Sequence, residues 1–97
     1  MILSNFRINE TESQFEMEAD GNTAFLEYYR EGNKVYLNHT EVPHEMRGKG
    51  VAAHLVQDTL KYARENGLTI VPSCSYVAYY VNNHPEWNDV LSEGYQM

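Results

Sequence analysis

The sequence is poor in several residue types, and each shortage excludes a class of protein. Its single cysteine, Cys74, cannot form an internal disulfide framework or a cysteine-rich zinc site. Seven Lys and Arg residues stand against 14 Asp and Glu, a formal net charge of −7, so no basic stripe can neutralise nucleic-acid phosphates. The longest apolar run, 76–81, is far shorter than the roughly 18 residues that cross a bilayer. We therefore expect neither a nucleic acid nor a membrane as partner.

The remaining composition is that of a globular domain. The chain has 97 residues, of which 42% are hydrophobic and 22% are charged, and this fits one domain over 1–97. The first residues show no basic start followed by a long apolar core, so we see no secretory signal. The expected location is the cytoplasm.

The first half of the chain reads as β-strands. Apolar residues at 15, 17 and 19 alternate with acidic residues at 16, 18 and 20, which is the period of a half-buried strand. Two further runs rich in β-formers, 23–29 and 35–42, follow turn residues at 20–22 and 31–34. Short connections between three strands predict an antiparallel meander, and a short strand near 6–8 would precede it.

The second half changes to a helical period. Apolar residues recur at spacings of three and four over 51–63, which predicts an amphipathic helix that ends at Gly67. A buried strand, 68–71, follows, and we expect its pairing to stop at Pro72, which has no N–H to donate. A second helix over 76–83, capped by Ser73 or Ser75, would end before Pro85. Strand, helix and strand make a parallel βαβ unit, so the fold class is α+β with a mixed sheet.

The segment before the long helix carries the clearest chemical signal. Gly48 and Gly50 allow the backbone to approach a ligand closely at the start of the helix. The N–H groups of a first helical turn have no intrahelical partners and, with the helix dipole, favour an anion. Arg47 and Lys49 lie at this end, where cations are normally unfavourable unless an anion offsets the repulsion. A phosphate or pyrophosphate fits the pattern.

Other interpretations of this segment also have to be considered. A plain glycine-rich turn with two solvated cations fits equally well, because short glycine patterns are common. A P-loop is excluded because Gly50, and not Ser or Thr, follows Lys49. A dinucleotide fingerprint is excluded because its third glycine would fall at Ala53. The phosphate site and the plain turn remain as alternatives.

The run Arg47-Gly48-Lys49-Gly50-Val51-Ala52 resembles the acyl-CoA pyrophosphate motif of the GNAT N-acetyltransferase superfamily, in which Gln or Arg precedes two residues, Gly, one residue, and Gly or Ala. The similarity to the small single-domain branch of this superfamily extends from about 15 to 87. It includes Thr40-Glu41-Val42-Pro43, Val71-Pro72 with the following Cys74, and His84-Pro85-Glu86. It implies a GNAT-like sheet truncated at the N-terminus, without the helical pair that builds half of the acceptor site in typical members.

The resemblance also implies a reaction. Acetyl-CoA would be the co-substrate, no metal would be needed, and a primary amine of a small molecule or a protein would attack the thioester directly. The pantetheine arm would lie near Val42, where the strands 35–42 and 68–71 separate, and a backbone N–H would polarise the carbonyl. The residues implied to bind the pyrophosphate are Arg47, Gly48, Lys49, Gly50, Val51 and Ala52.

The catalytic candidates are Tyr80, Cys74 and Glu41, two of them with a neighbouring alternative. Tyr80, with Tyr79 as its neighbouring alternative, aligns with the tyrosine that serves many members as general acid. Cys74 would lie near the thioester, where it could carry the acetyl group or assist proton transfer. Glu41 and His39 share one face of a strand, and either could be the general base. Packing aromatics, a small buried cysteine and solvated charges are the structural alternatives for the same residues.

Two further histidines and two further functions complete the predictions. His44, beside the glycine motif, is a further catalytic candidate. His84, before Pro85, is another, although it is expected to close the second helix, and Trp87 is expected to cover the core. A coenzyme A or acyl-CoA-binding module without turnover is the alternative function. A third hypothesis is an interaction domain with a tyrosine-rich surface and no cofactor. We expect a monomer or a weak homodimer.

Overall fold

The computed structural model describes residues 4–92 and confirms the α+β class. Two short 3-10 segments, η1 (His44–Met46) and η2 (Pro85–Val90), flank the helical half. The regular elements are β1 (Ser4–Asn9), β2 (Gln14–Ala19), β3 (Asn22–Glu31), β4 (Lys34–Glu41), α1 (Val51–Glu65), β5 (Thr69–Pro72) and α2 (Ser75–Asn82).

The five strands form one mixed sheet in the order β1-β2-β3-β4-β5. The first four strands are antiparallel neighbours, and β5 lies parallel to β4 because α1 carries the chain back across the sheet. Asp20 and Gly21 both have positive φ, the conformation that closes a tight hairpin between β2 and β3. The predicted meander followed by a βαβ unit is confirmed.

Both α-helices pack on the same face of the sheet. Side chains of directly paired residues lie on one face, so Leu26 faces the helices together with Phe15 of β2 and Thr40 of β4. The apolar side of α1 covers these strands, and α2 adds Val77 and Val81 to the same core. The packing of α1 and α2 on this face thus fixes where the N-termini of both helices lie relative to β4.

The opposite face of the sheet, which we call the open face, carries polar and aromatic side chains. Glu16, Phe25 and Glu41 form one cross-strand row on this face. Glu27 and His39 form the neighbouring row. Their side chains are exposed or half-buried except for Glu16, which accepts hydrogen bonds from two β1 side chains.

Two sequence predictions about the second half need correction. Pro72 ends β5 opposite Leu37, so the prediction that pairing fails there is wrong. The ladder does not need the missing N–H, because the N–H of Cys74 donates to the Leu37 carbonyl at 2.7 Å. Cys74, rather than Ser73 or Ser75, is the N-cap of α2, and no side-chain cap bond is formed.

The chain after Pro85 continues as η2, which the sequence left unassigned. Trp87 is buried against the core, as expected. Arg64 of α1 lies over the Trp87 ring at 4.2 Å from its centroid and donates to the carboxylate of Asp89 and the carbonyl of Glu86. These contacts tie η2 to α1. No element is predicted from the sequence for the tail 87–97, and the part of this tail beyond Ser92 lies outside the described residues.

Neither α-helix described here combines the length and the apolar character that a membrane span requires.

Candidate functional site

The parallel ladder between β4 and β5 ends early and leaves a gap. Its last pair is Leu37 with Pro72, whereas β4 stays paired to β3 as far as Glu41, which lies opposite Phe25. In the described ladder, the β4 residues 38–41 therefore have no paired residue on β5. We call this gap the β4–β5 split, and it lies where the family resemblance implies the pantetheine arm would bind.

A β-bulge on β4 lies directly at the split. Tyr28 pairs with Leu37 and its neighbour Glu27 pairs with His39, so Asn38 is an extra residue on β4. A bulge re-aims the side chains that follow it. As a result Thr40 lies on the helix-covered face, and His39 and Glu41 lie on the open face. At the split, β4 thus carries a hydroxyl on its helix-covered face and an imidazole and a carboxylate on its open face.

The start of α1 combines two left-handed glycines with backbone N–H groups that have no intrahelical acceptor. Gly48 and Gly50 have φ values of +76° and +72°, the left-handed region that glycine adopts without strain. A Cβ built on either glycine would meet nothing within 4 Å. The first intrahelical bond runs from the His54 N–H to the Gly50 carbonyl, so the N–H groups of 51–53 precede the helical ladder. The glycine loop leaves open space over these N–H groups.

A cavity of about 170 Å³ connects this loop to the end of β4. Six of the seven predicted cofactor-binding residues line it: Val42, Arg47, Gly48, Gly50, Val51 and Ala52. Lys49 is exposed and does not line the cavity. Arg47 donates through Nε to the Val42 carbonyl at 3.2 Å, which fixes the loop against the end of the strand. Met46, Ala53 and Tyr76 complete the wall.

Cys74 lies at the split on the helix-covered face. Its Sγ is 3.3 Å from the Thr40 hydroxyl, a contact that joins the α2 N-terminus to β4 beyond the last ladder pair. Burial alone would raise the pKa of the Cys74 thiol, but hydrogen bonds from the Thr40 hydroxyl and from the backbone of Val77, Tyr76 and Thr40 together lower it. The sulfur is therefore surrounded by donors that favour the thiolate.

The tyrosines of α2 occupy different environments. Tyr80 is buried, and its ring stacks on that of His84 with centroids 4.0 Å apart. Its hydroxyl accepts a hydrogen bond from the indole N–H of Trp87. Burial raises the pKa of Tyr80 and, one turn earlier, that of Tyr76. Tyr76 lines the cavity, whereas Tyr79 is 66% exposed. The structure thus places Tyr76 in the cavity wall and the Tyr80 hydroxyl against η2.

The open face holds the candidate bases. His39 Nε2 lies 2.9 Å from Glu41 Oε2, and both side chains are about half exposed. If Nε2 of His39 carries the proton and donates the hydrogen bond to Glu41, Nδ1 remains free to accept a proton. His44 is exposed on η1. His84 donates a hydrogen bond from Nδ1 to the Tyr80 carbonyl at 2.7 Å, a contact that satisfies a carbonyl at the C-terminal end of α2. Within residues 4–92, no group of three His, Cys, Asp or Glu could hold a metal ion.

Comparison with protein families gives a match to the GCN5-related N-acetyl-transferase model over residues 14–90. The chain belongs to the GCN5-related N-acetyltransferase family. It is 37% identical over 75 residues to Protein NATD1 of Xenopus tropicalis and 36% identical to the human protein of that name, covering 74% of this chain in each case and 69% and 66% of those proteins.

A solved structure agrees with this GCN5-related assignment. The solution NMR structure of a GCN5-like N-acetyltransferase candidate from Staphylococcus aureus superposes with a TM-score of 0.68 at 30% identity. The match covers 93% of this chain and 91% of that one. The mixed α+β sheet with its helices thus has the fold of a GCN5-related N-acetyltransferase.

The prediction from the sequence left out two residues of the candidate site, Tyr76 and Thr40. Tyr76 precedes Tyr80 by one helical turn, so the two share a helix face, and that spacing was the available signal. Thr40 carried no signal of its own. Its position depends on the extra residue Asn38, and without that bulge Thr40 would alternate to the other face of the sheet from Leu37.

Proposed function

We propose that the chain is an acetyl-CoA-dependent N-acetyltransferase that transfers an acetyl group to a primary amine. The observation that carries this proposal is the continuity of three features: the uncapped α1 N-terminus, the cavity beside it, and the β4–β5 split. A diphosphate, a pantetheine arm and a thioester occur in this order in acetyl-CoA. Family membership supports the reaction class.

The pyrophosphate would bind at the start of α1. The N–H groups of Val51, Ala52 and Ala53 supply donors, and Arg47 and Lys49 supply positive charge at the same end. Arg47 is held beside Val42, whereas Lys49 is exposed and acts over a longer range. An anion here offsets the repulsion between these cations and the helix dipole.

The pantetheine arm would use the backbone of β4 at the split. Residues 38–41 keep their hydrogen bonds to β3 on one edge and have no described ladder to β5 on the other. Free backbone groups at an edge pair readily with amides of a ligand. A β4 N–H beyond the bulge would then donate to the thioester carbonyl and stabilise the negative charge that forms there.

The acetyl transfer requires two proton movements. The amine nitrogen bonds to the carbonyl carbon, the carbon–sulfur bond breaks, and the electron pair leaves with the coenzyme A sulfur. His39, hydrogen-bonded to Glu41, accepts the proton that the amine loses. A tyrosine of α2 returns a proton to the thiolate; Tyr80 is the residue that the family pattern indicates, and Tyr76 is the one that lines the cavity.

Cys74 gives an alternative route through the same site. Its thiolate could attack the thioester, release coenzyme A and carry the acetyl group to the amine. The donors around Sγ favour the thiolate that such an attack needs. In the direct route the cysteine stays unmodified, so a stoichiometric S-acetyl group on Cys74 after mixing with acetyl-CoA distinguishes the two.

Calorimetric titration with acetyl-CoA, followed by thiol release over a panel of amines, tests the proposal. We expect saturable binding with one site and amine-dependent release of coenzyme A. Binding without release for any amine would favour the alternative, a coenzyme A-binding module without turnover. An absence of binding by folded protein would refute both and leave the interaction domain.

A further inference from the structure

We propose that Asn66 is a site of spontaneous deamidation, a covalent modification that turns the side-chain amide at the end of α1 into a carboxylate. Asparagine is among the thermolabile residues of proteins, and Asn66 is the only asparagine of the sequence that a glycine follows. The site lies about 20 Å from the glycine loop, at the other end of a 15-residue helix. The reaction needs no enzyme and no cofactor, so this inference does not depend on the proposed function.

The reaction uses the backbone of the next residue as its nucleophile. The Gly67 nitrogen loses its proton to water or hydroxide and bonds to the side-chain carbonyl carbon of Asn66, and the carbon–nitrogen bond of the side-chain amide breaks. Ammonia leaves with that electron pair and a proton, and a succinimide ring remains. Water then opens the ring at either of its two carbonyls, which yields aspartate or isoaspartate.

Asn83 is an internal standard for this reaction, because it caps α2 in the way that Asn66 caps α1. Both are exposed C-cap residues, with φ and ψ of −110° and 12° at Asn66 and of −98° and 2° at Asn83. Each side chain donates a hydrogen bond from Nδ2 to the carbonyl four residues earlier, at 2.9 Å. The two caps therefore differ mainly in the residue that follows them.

The following residue favours the attack at Asn66 and hinders it at Asn83. Gly67 is exposed, and its N–H has no hydrogen-bond partner among the residues that the structure describes. The N–H of His84, in contrast, donates to the Val81 carbonyl at 3.2 Å. A glycine nitrogen has no neighbouring Cβ to crowd its approach to a carbonyl. We therefore expect ring closure at Asn66 and not at Asn83.

Opening of the last turn of α1 controls the reaction. At a ψ of 12° the Gly67 nitrogen is turned away from the side-chain carbonyl of Asn66, so the ring closes only after this angle rotates. The rotation breaks the bond from the Asn66 side chain to the Tyr62 carbonyl, and the bond from the Leu68 N–H to the Ala63 carbonyl. Such local openings occur far more often than unfolding of the whole chain. Deamidation thus proceeds from the folded protein.

The product weakens the connection between α1 and β5. A carboxylate cannot donate to the Tyr62 carbonyl, and its charge lies at the negative end of the helix dipole. Isoaspartate also lengthens the backbone by one carbon, which displaces the N–H of the buried Leu68 from the Ala63 carbonyl. We expect a lower Tm and faster hydrogen exchange over 66–69 in the deamidated chain.

The test incubates the folded full chain in mildly alkaline buffer and follows its tryptic peptides by mass spectrometry. Trypsin cleaves after Arg64 and no Lys or Arg follows, so one peptide, 65–97, contains both Asn66 and Asn83. Fragmentation by electron transfer locates the exchange of NH2 for OH and separates aspartate from isoaspartate. We expect loss of the Asn66 amide to a mixture of the two products, while Asn83 keeps its amide.

Two variants test the role of the glycine and the effect of the product. Gly67→Asn tolerates the φ of +66° but crowds the nitrogen, so it should preserve the Asn66 amide. Asn66→Asp carries one product from the start and should have a lower Tm than the wild type. An Asn66 amide that lasts as long as that of Asn83, or is lost only after denaturation in urea, would overturn the inference. An unchanged Tm in Asn66→Asp would contradict the effect on α1.

Discussion

At the scale of single residues, the contact between Thr40 and Cys74 is the most informative. It crosses the β4–β5 split, and the Thr40 hydroxyl is one of the donors that lower the pKa of the thiol. A lowered pKa means that the thiolate stabilises the folded state at alkaline pH. That contribution is lost as the pH falls through the folded-state pKa. The same residue thus links the reactivity of Cys74 to the geometry of β4.

Thr40→Val should move the reactivity of Cys74 to higher pH. The valine has nearly the same shape but no hydroxyl to donate, so the thiolate loses one hydrogen bond and its pKa rises. The pH dependence of alkylation by iodoacetamide measures this pKa. Thr40→Ser is the control, because it restores the donor and should restore the profile. Identical midpoints for Thr40→Val and the wild type would show that the contact does not set the pKa.

The general acid can be assigned by comparing Tyr76→Phe with Tyr80→Phe. We expect Tyr76→Phe to lower kcat by about 10²-fold with an unchanged Tm, because general acids contribute at least that factor. Tyr80→Phe removes the hydroxyl bonded to Trp87, so it should cost about 1 kcal/mol of stability. Turnover lost in Tyr80→Phe but kept in Tyr76→Phe would establish Tyr80, the residue that the sequence pattern indicated, as the acid.

At the scale of elements, the glycine loop and the start of α1 form one unit. Gly50 has a φ of +72°, so a β-branched substitution would strain the backbone as well as block a ligand. Asparagine tolerates this conformation. A side chain at Gly50 would occupy the open space over the N–H groups of 51–53. Gly50→Asn should therefore weaken acetyl-CoA binding by about 10- to 100-fold, the equivalent of displacing the diphosphate from one hydrogen bond to a charged group, while the Tm changes little.

Gly32→Asn is the matched control for Gly50→Asn. Gly32 has a φ of +61° in the β3–β4 turn, and a Cβ there also meets nothing within 4 Å. Calorimetric titration of both variants with acetyl-CoA should separate them, since only the loop at α1 adjoins the cavity. Equal affinities in the two variants would place the pyrophosphate elsewhere.

The segment η2 depends on one arginine of α1. Arg64 contacts the Trp87 ring, the Asp89 carboxylate and the Glu86 carbonyl. Arg64→Ala should lower the Tm and speed hydrogen exchange over 87–90, but it should leave acetyl-CoA affinity unchanged because Arg64 lies outside the cavity. Arg64→Lys keeps the charge but loses the planar contacts, so it should rescue little. Slow exchange retained in Arg64→Ala would contradict this role.

At the scale of the whole molecule, the sequence predicted the architecture better than it predicted the site. The period of two around Phe15, the helical spacing after Val51 and the turn at Asp20 reflect local physical rules, so the strands, the helix and their order followed. The left-handed glycine loop before α1 likewise followed from the motif, because its conformation is local. Features that depend on two distant segments did not follow from the sequence.

The bulge at Asn38 is the clearest of these features. No local signal marks it, yet it decides that Thr40 meets Cys74 while His39 and Glu41 face the other side. Pro72 is a second case, because the bond from the Cys74 N–H to the Leu37 carbonyl makes the proline N–H unnecessary. The geometry of the candidate site therefore arises from register and pairing, which depend on the whole sequence and not on a local pattern.

The central claim is that the start of α1 binds the diphosphate of acetyl-CoA and that the acetyl end lies in the β4–β5 split. A crystal structure of the chain with coenzyme A tests this most directly. We predict diphosphate oxygens on the N–H groups of 51–53 and the pantetheine amides along the backbone of 38–42. Coenzyme A bound with its diphosphate away from the glycine loop, or with the split unfilled, would contradict the account.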